Sequence, residues 1–145
     1  MSGLDREQLV DRLGRFLEGR PEIVDGYLFG SQARGDAQPH SDVDVAVYVD
    51  AARLPPAPYG YAAELTTELI ALLHDNRVDV VVLNDAGPLL YHRVLRDGIR
   101  VVTRDLAAST TREGRALSRY CDYLPHLRKI EQALNHRIAR GSTGR

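Results

Sequence analysis

Tryptophan is absent from the chain, cysteine and methionine occur once each, and Lys129 is the one lysine among its basic residues. The lone Cys121 excludes an internal disulfide scaffold and fits a reducing compartment. No His or Asn motif flanks it as around a catalytic thiol, so it reads as an inert helix residue. Neither a signal peptide nor an apolar run long enough to span a bilayer is visible, which sets the expectation of a cytoplasmic protein with no membrane partner. Charge of one sign is missing too: 19 basic residues face 20 acidic ones, a net charge of −1. Without a global positive field, direct binding of long nucleic acid is not expected. The preference for arginine over lysine reads as a GC-rich genome more than as a demand for phosphate binding. What remains is 145 residues, 43% of them hydrophobic. That is enough for one compact domain with a real core and too little for two.

Hydrophobic spacing divides the chain into alternating helices and strands. Leu9, Val10, Leu13, Phe16 and Leu17 form a helical stripe over residues 5–17, opened by Asp5 and Gln8 in capping-box spacing. Gly19-Arg20-Pro21 breaks it, and strands are predicted at Ile23 to Phe29 and Val43 to Val49. The proline-rich segment 51–58 is a surface connection. A helix over Tyr61 to Leu73, a strand over Arg77 to Leu83, a helix from Pro88 to Gly98 and a strand over Ile99 to Thr103 complete an α/β core at residues 1–104. Residues 105–139 are expected to form a C-terminal helical extension, kinked or divided at Pro125. Its stripe, from Leu117 through Leu124 and Leu134 to Ile138, is expected to pack on the core by default, a partner being the alternative surface. Residues 140–145 read as a flexible tail.

The chemistry concentrates between Gly30 and Val47. Gly30-Ser31 follows the apolar run Tyr27-Leu28-Phe29, where a strand ends and a helical turn begins. Exposed N–H groups at such a turn attract anions, glycine lets a phosphate approach, and the serine hydroxyl adds a donor. Ten residues later come Asp42 and Asp44, whose side chains share one face of a strand while Val43, Val45, Val47 and Val49 face the core. Carboxylates held so close repel one another unless a cation sits between them. Hard oxygen ligands beside phosphate suit Mg²⁺.

An Asp-x-Asp pair alone is an ordinary solvated strand end. Asp79 changes that reading: it shares parity with Val81 and Leu83 and places a charge in an apolar strand, with Val78, Val80 and Val82 facing the other way. A buried charge without a partner is costly, so a metal shared with Asp42 and Asp44 is expected, against a salt bridge to Arg77 or Arg34. Ser41 and His40 read as loop residues. Tyr91, His92, Arg93 and Arg96 read as an ordinary amphipathic helix surface ahead of the alternative, the lining of a nucleotide or partner groove.

The combination Gly-Ser, loop, Asp-x-Asp and a later strand aspartate resembles the polymerase β-type nucleotidyltransferase superfamily. More narrowly, Gly-Ser-Gln-Ala-Arg-Gly-Asp-Ala, Ser-Asp-Val-Asp-Val-Ala-Val, Val-Asp-Val-Val-Val-Leu and Pro-Leu-Leu-Tyr-His-Arg-Val-Leu-Arg-Asp-Gly resemble the minimal nucleotidyltransferases, antitoxins encoded beside HEPN-domain ribonuclease toxins. The resemblance spans residues 9–104. It implies a small mixed β-sheet flanked by helices, with Gly30 and Ser31 on the β- and γ-phosphates of ATP and Arg34 near the triphosphate. It further implies Asp42, Asp44 and Asp79 as ligands of two Mg²⁺ ions, Asp79 also orienting or deprotonating the acceptor hydroxyl. The implied activity is AMP transfer to a hydroxyl, most plausibly a tyrosine, of a cognate HEPN toxin. Two alternatives are an antitoxin that neutralises by binding alone and a nucleotidyltransferase acting on an aminoglycoside-type small molecule.

Overall fold

The computed structural model of the chain describes residues 4–36 and 41–143. His40 and the rest of 37–40, and the last two residues of the expected tail, lie outside them. Helix α1 (Arg6–Glu18) opens with the expected capping box: the Asp5 carboxylate accepts from Gln8 N at 2.8 Å, and Gln8 Oε1 accepts from Asp5 N at 3.1 Å. Strands β1 (Ile23–Phe29) and β2 (Val43–Val49) flank a single helical turn, α2 (Ser31–Arg34). Helix α3 (Tyr61–Leu73), strand β3 (Val78–Val82), helix α4 (Pro88–Asp97), strand β4 (Ile99–Thr103) and helix α5 (Leu106–Thr143) follow.

The strands form one mixed sheet in the order β3-β2-β1-β4. β1 is antiparallel to both neighbours, whereas β2 and β3 are parallel, joined through α3 as a crossover. Each face of the sheet carries two helices, because strand parity sorts the side chains. Val43, Val45, Val47, Val49 and Leu28 pack with Leu9, Leu13 and Leu17 of α1 and Leu65, Leu69 and Leu73 of α3. Tyr27, Phe29 and Ala46 face the other way, against Tyr91 and Val94 of α4 and Ala116 of α5. A register shift between Ile23 and Asp25 turns Ile23 into the first cluster despite its odd parity. Parity in β3 is as predicted: Val78, Val80 and Val82 lie against the first cluster and Val81 against the second.

α5 departs from expectation twice. It is not divided: one helix runs from Leu106 to Thr143 with Pro125 inside it. Proline removes one N–H, which leaves the Cys121 carbonyl without its helical donor. Cys121 is exposed, so water can serve that carbonyl. The apolar stripe is also not packed on the core. Leu117 and Ile130 are exposed, Leu134 and Ile138 are 48% and 67% exposed, and every residue from Arg128 to Ala139 lies at the surface. β1 runs toward Gly30, β4 runs back from it, and α5 returns toward the Gly30 end of the sheet. The His92 ring of α4 stacks on Tyr120 with centroids 3.6 Å apart. Beyond that contact the helix extends for roughly 28 Å to Ala139 at 1.5 Å per residue.

Two ion pairs, one on the buried Asp25 and one half-buried, fasten the near half of α5 to the sheet. Arg112 donates to Asp25 Oδ2 at 2.6 Å and lies over the Tyr48 ring at 4.6 Å; Asp25 is only 2% exposed. Glu113 accepts from Tyr27 OH at 2.6 Å and from Arg100. Together these tie α5 to three strands, β1, β2 and β4.

Candidate active site

Register places the carboxylates predicted from the sequence together. Asp44 lies opposite Asp79 in the parallel β2–β3 pair and opposite Phe29 in the antiparallel β1–β2 pair. Adjacent strands are about 4.8 Å apart. Asp42 stands two residues before Asp44, and Val43 N, between them, donates to Arg77 O at 2.7 Å. Gly30 is the next residue after Phe29, so the turn into α2 lies beside Asp44.

That turn explains the glycine. Gly30 has φ +74° and ψ −158°, a region open in practice only to glycine. A Cβ there would overlap Asp44 Oδ2 and stand 3.2 Å from its Cγ. Glycine is therefore required both by the backbone and by the carboxylate beside it. α2 has only four residues, so any grip on an anion rests on the individual N–H groups and Ser31 hydroxyl at its start, not on a summed helix dipole.

Asp44 is half-buried, whereas Asp42 and Asp79 are exposed. The Asp44 carboxyl is pushed above its ordinary range, first by burial, then by the charges of Asp79 and Asp42. Arg93 of α4 and Arg34 of α2 pull in the opposite direction. Exposure of Asp79 corrects the sequence reading: β3 is an edge strand, and its aspartate is solvated, not held in an apolar setting. The unfavourable electrostatics belong to Asp44. Arg34 donates to Asp36 and to Asp97 of α4, each at 3.3 Å, and not to Asp79.

Among the described residues no three carboxylate, imidazole or thiol groups converge as a ready-made cage. Two facing carboxylates that repel each other nevertheless fit Mg²⁺, which takes one or two carboxylates and fills its remaining positions with phosphate and water. The ion would be held by Asp44, Asp79 and Asp42, all hard oxygen donors.

Residues 11–107, more than half of the chain, match the family model described as polymerase beta, nucleotidyltransferase. The chain belongs to the polymerase β nucleotidyltransferase family. Its likeness to a solved structure described as a minimal nucleotidyltransferase is 35% identical, with a TM-score of 0.55, covering 68% of this chain and 98% of that one. A toxin–antitoxin crystal structure with AMP-PNP contains a chain matching this nucleotidyltransferase at TM-score 0.67 and 24% identity, over 90% of this chain and 98% of that one. The complex of a tri-AMPylated Shewanella oneidensis HEPN toxin with an MNT antitoxin matches at TM-score 0.63 and 23% identity, over 92% and 98%. These last two likenesses carry the fold. No curated protein matches the chain.

Three charged residues with cross-fold roles escaped the sequence reading. Asp25 breaks an apolar strand as Asp79 does and is far more buried; the same parity argument would have flagged it. Arg93, read as ordinary helix surface, is a counter-charge to Asp44. Asp97, two residues before β4, gathers Arg34 and Arg96, a contact across the fold that sequence spacing does not encode.

Proposed function

We propose that this nucleotidyltransferase is an Mg²⁺-dependent antitoxin that transfers AMP from ATP to a hydroxyl, a tyrosine, of a HEPN ribonuclease toxin in the cytoplasm. The observation that carries the reading is the register of Asp44 against Asp79 beside the turn at Gly30, which sets a carboxylate pair next to the backbone N–H groups that open α2. The likeness to chains from toxin–antitoxin complexes supports the partner class.

In this reading Gly30 and Ser31 hold the β- and γ-phosphates and Arg34 neutralises the triphosphate. Asp42, Asp44 and Asp79 hold two Mg²⁺ ions, which when bound supply charge neutralisation at the attacking and leaving oxygens. Asp79, the solvated member, orients the acceptor hydroxyl and takes its proton as the oxygen bonds to the α-phosphorus. The bond from that phosphorus to the bridging oxygen breaks, and pyrophosphate leaves. Exposure suits Asp79 to this role, because the acceptor arrives from solvent on another molecule. Residues 1–104 carry the chemistry and residues 105–139 carry the partner.

Incubation with labelled ATP, Mg²⁺ and the partner toxin should label the toxin, and Asp42→Ala with Asp44→Ala should abolish labelling. A second reading, neutralisation by binding alone, is favoured by the uncovered apolar residues of α5. It holds if toxin is silenced without nucleotide and Asp42→Ala still silences it.

A further inference from the structure

Arg34 ends a single helical turn and its side chain is 44% exposed. A long arginine side chain loses much rotamer freedom when it is fixed on a ligand, and a group already held in place loses less at the moment of binding. Arg34 is so held. Asp97 Oδ2 accepts from Arg34 Nη1 at 3.3 Å, and Asp36 Oδ2 accepts from Arg34 Nε at 3.3 Å.

The two carboxylates are not equivalent. Asp36 is exposed and close in sequence, so it moves with the turn it belongs to. Asp97 belongs to α4, which Tyr91 and Val94 bury against the sheet, and its side chain is only 10% exposed. Asp97 is itself clamped by Arg96, whose Nε and Nη2 donate at 2.9 and 3.0 Å. The chain of contacts therefore runs from a rigid helix through a fixed carboxylate to the guanidinium. It leaves Arg34 Nη2 without a protein acceptor among the described residues. With Asp36 counted, the two arginines and two aspartates of the cluster sum to zero, so what Asp97 contributes is the aim of the Arg34 Nη2 N–H groups and not added positive charge.

We propose that Asp97 is a positioning residue for triphosphate binding, holding Arg34 so that its remaining N–H groups meet the anion. This rests on the reading of Gly30, Ser31 and Arg34 as the nucleotide grip. Removing a residue that orients a metal ligand costs about 10- to 100-fold in affinity, and the lower end of that range is the measure for a residue that orients an arginine. Asp97→Ala should accordingly raise the dissociation constant for MgATP by roughly tenfold. Asp97→Glu, which keeps a carboxylate, should recover part of the loss.

The test is equilibrium dialysis of labelled ATP with Mg²⁺ against wild type, Asp97→Ala, Arg34→Ala, the double variant and Asp97→Glu, with no partner protein required. The expected result is that Asp97→Ala changes nothing once Arg34 is alanine, because its effect passes through that side chain. Equal weakening by Asp97→Ala in both backgrounds would mark a merely structural role and overturn the proposal. Tighter binding by Asp97→Ala would also overturn it, by showing that the carboxylate competes with the nucleotide for Arg34. If wild type fails to bind MgATP at all, the proposed function falls and this inference falls with it. Binding by wild type with independent effects of the two substitutions removes the inference alone.

Discussion

Replacing Gly30 by alanine changes one methyl group and should strike stability and chemistry to different degrees. The backbone effect follows from φ +74° and ψ −158°. A residue with a Cβ held in such a region costs about 1–3 kcal/mol. Taking the middle of that range, the melting temperature should fall by roughly 6 °C for a domain of this size. The second effect is steric. The new Cβ would overlap Asp44 Oδ2 and stand 3.2 Å from Cγ, so the carboxylate must retreat by roughly 1 Å to reach ordinary contact. Misplacing a catalytic group by that amount costs on the order of 100-fold in rate, far more than the loss of folded protein. Thermal melts and AMP-transfer rates of Gly30→Ala, Asp44→Ala and the double variant separate the two. Asp44→Ala removes the overlap but not the strained φ, so the double variant should be more stable than the sum of the singles predicts by at least about 0.5 kcal/mol. Transfer by Gly30→Ala within a few-fold of wild type, or strictly additive stabilities, would refute the reasoning.

Three other outcomes follow from the same geometry. Asp44→Asn should stabilise the metal-free protein by about 0.5 kcal/mol, through loss of repulsion from the facing Asp79, while ending transfer. Its pH dependence has a definite sign. The folded pKa of Asp44 lies above the unfolded one, so the stability its proton contributes is present below the unfolded value of about 3.9. That contribution is lost as pH rises through the folded value, so urea melts of wild type and Asp44→Asn should converge in acid and separate toward neutrality. Arg112→Met should cost about 3–5 kcal/mol by leaving Asp25 buried and unpaired, and Asp25→Asn in that background should restore part of it. Leu134→Glu should change the melting temperature negligibly, because the side chain is already exposed, and should weaken capture of the toxin in a pull-down.

The core was legible because its boundaries are chemical. β1, β2 and β4 occupy the residues expected of them, each an apolar run closed by glycine, proline or a charge. Parity within a strand was legible as well, which is why Asp42 and Asp44 could be assigned to one face of their strand and Asp79 set apart from Val78, Val80 and Val82. That Asp44 and Asp79 share a face follows only from the register. Burial was not legible, since it depends on sheet order. Asp79 was expected in an apolar setting and lies on an edge strand because β3 has only one neighbour. For the same reason Asp25, in a strand with neighbours on both sides, carries the buried charge. The stripe of α5 marked which residues share a face, but periodicity cannot say whether the same chain covers that face. Pro125 misled because a missing N–H is tolerated where its carbonyl partner meets solvent.

In the proposed function, AMP passes to a partner protein at the site formed by the Asp42, Asp44 and Asp79 carboxylates. Intact-mass measurement of the HEPN toxin after incubation with this protein, ATP and Mg²⁺ tests it most directly. The toxin should gain the mass of one or more adenylyl groups, and the gain should be lost equally with Asp79→Ala and with Asp44→Ala. An unmodified toxin, or modification that survives Asp79→Ala, would contradict the proposed function.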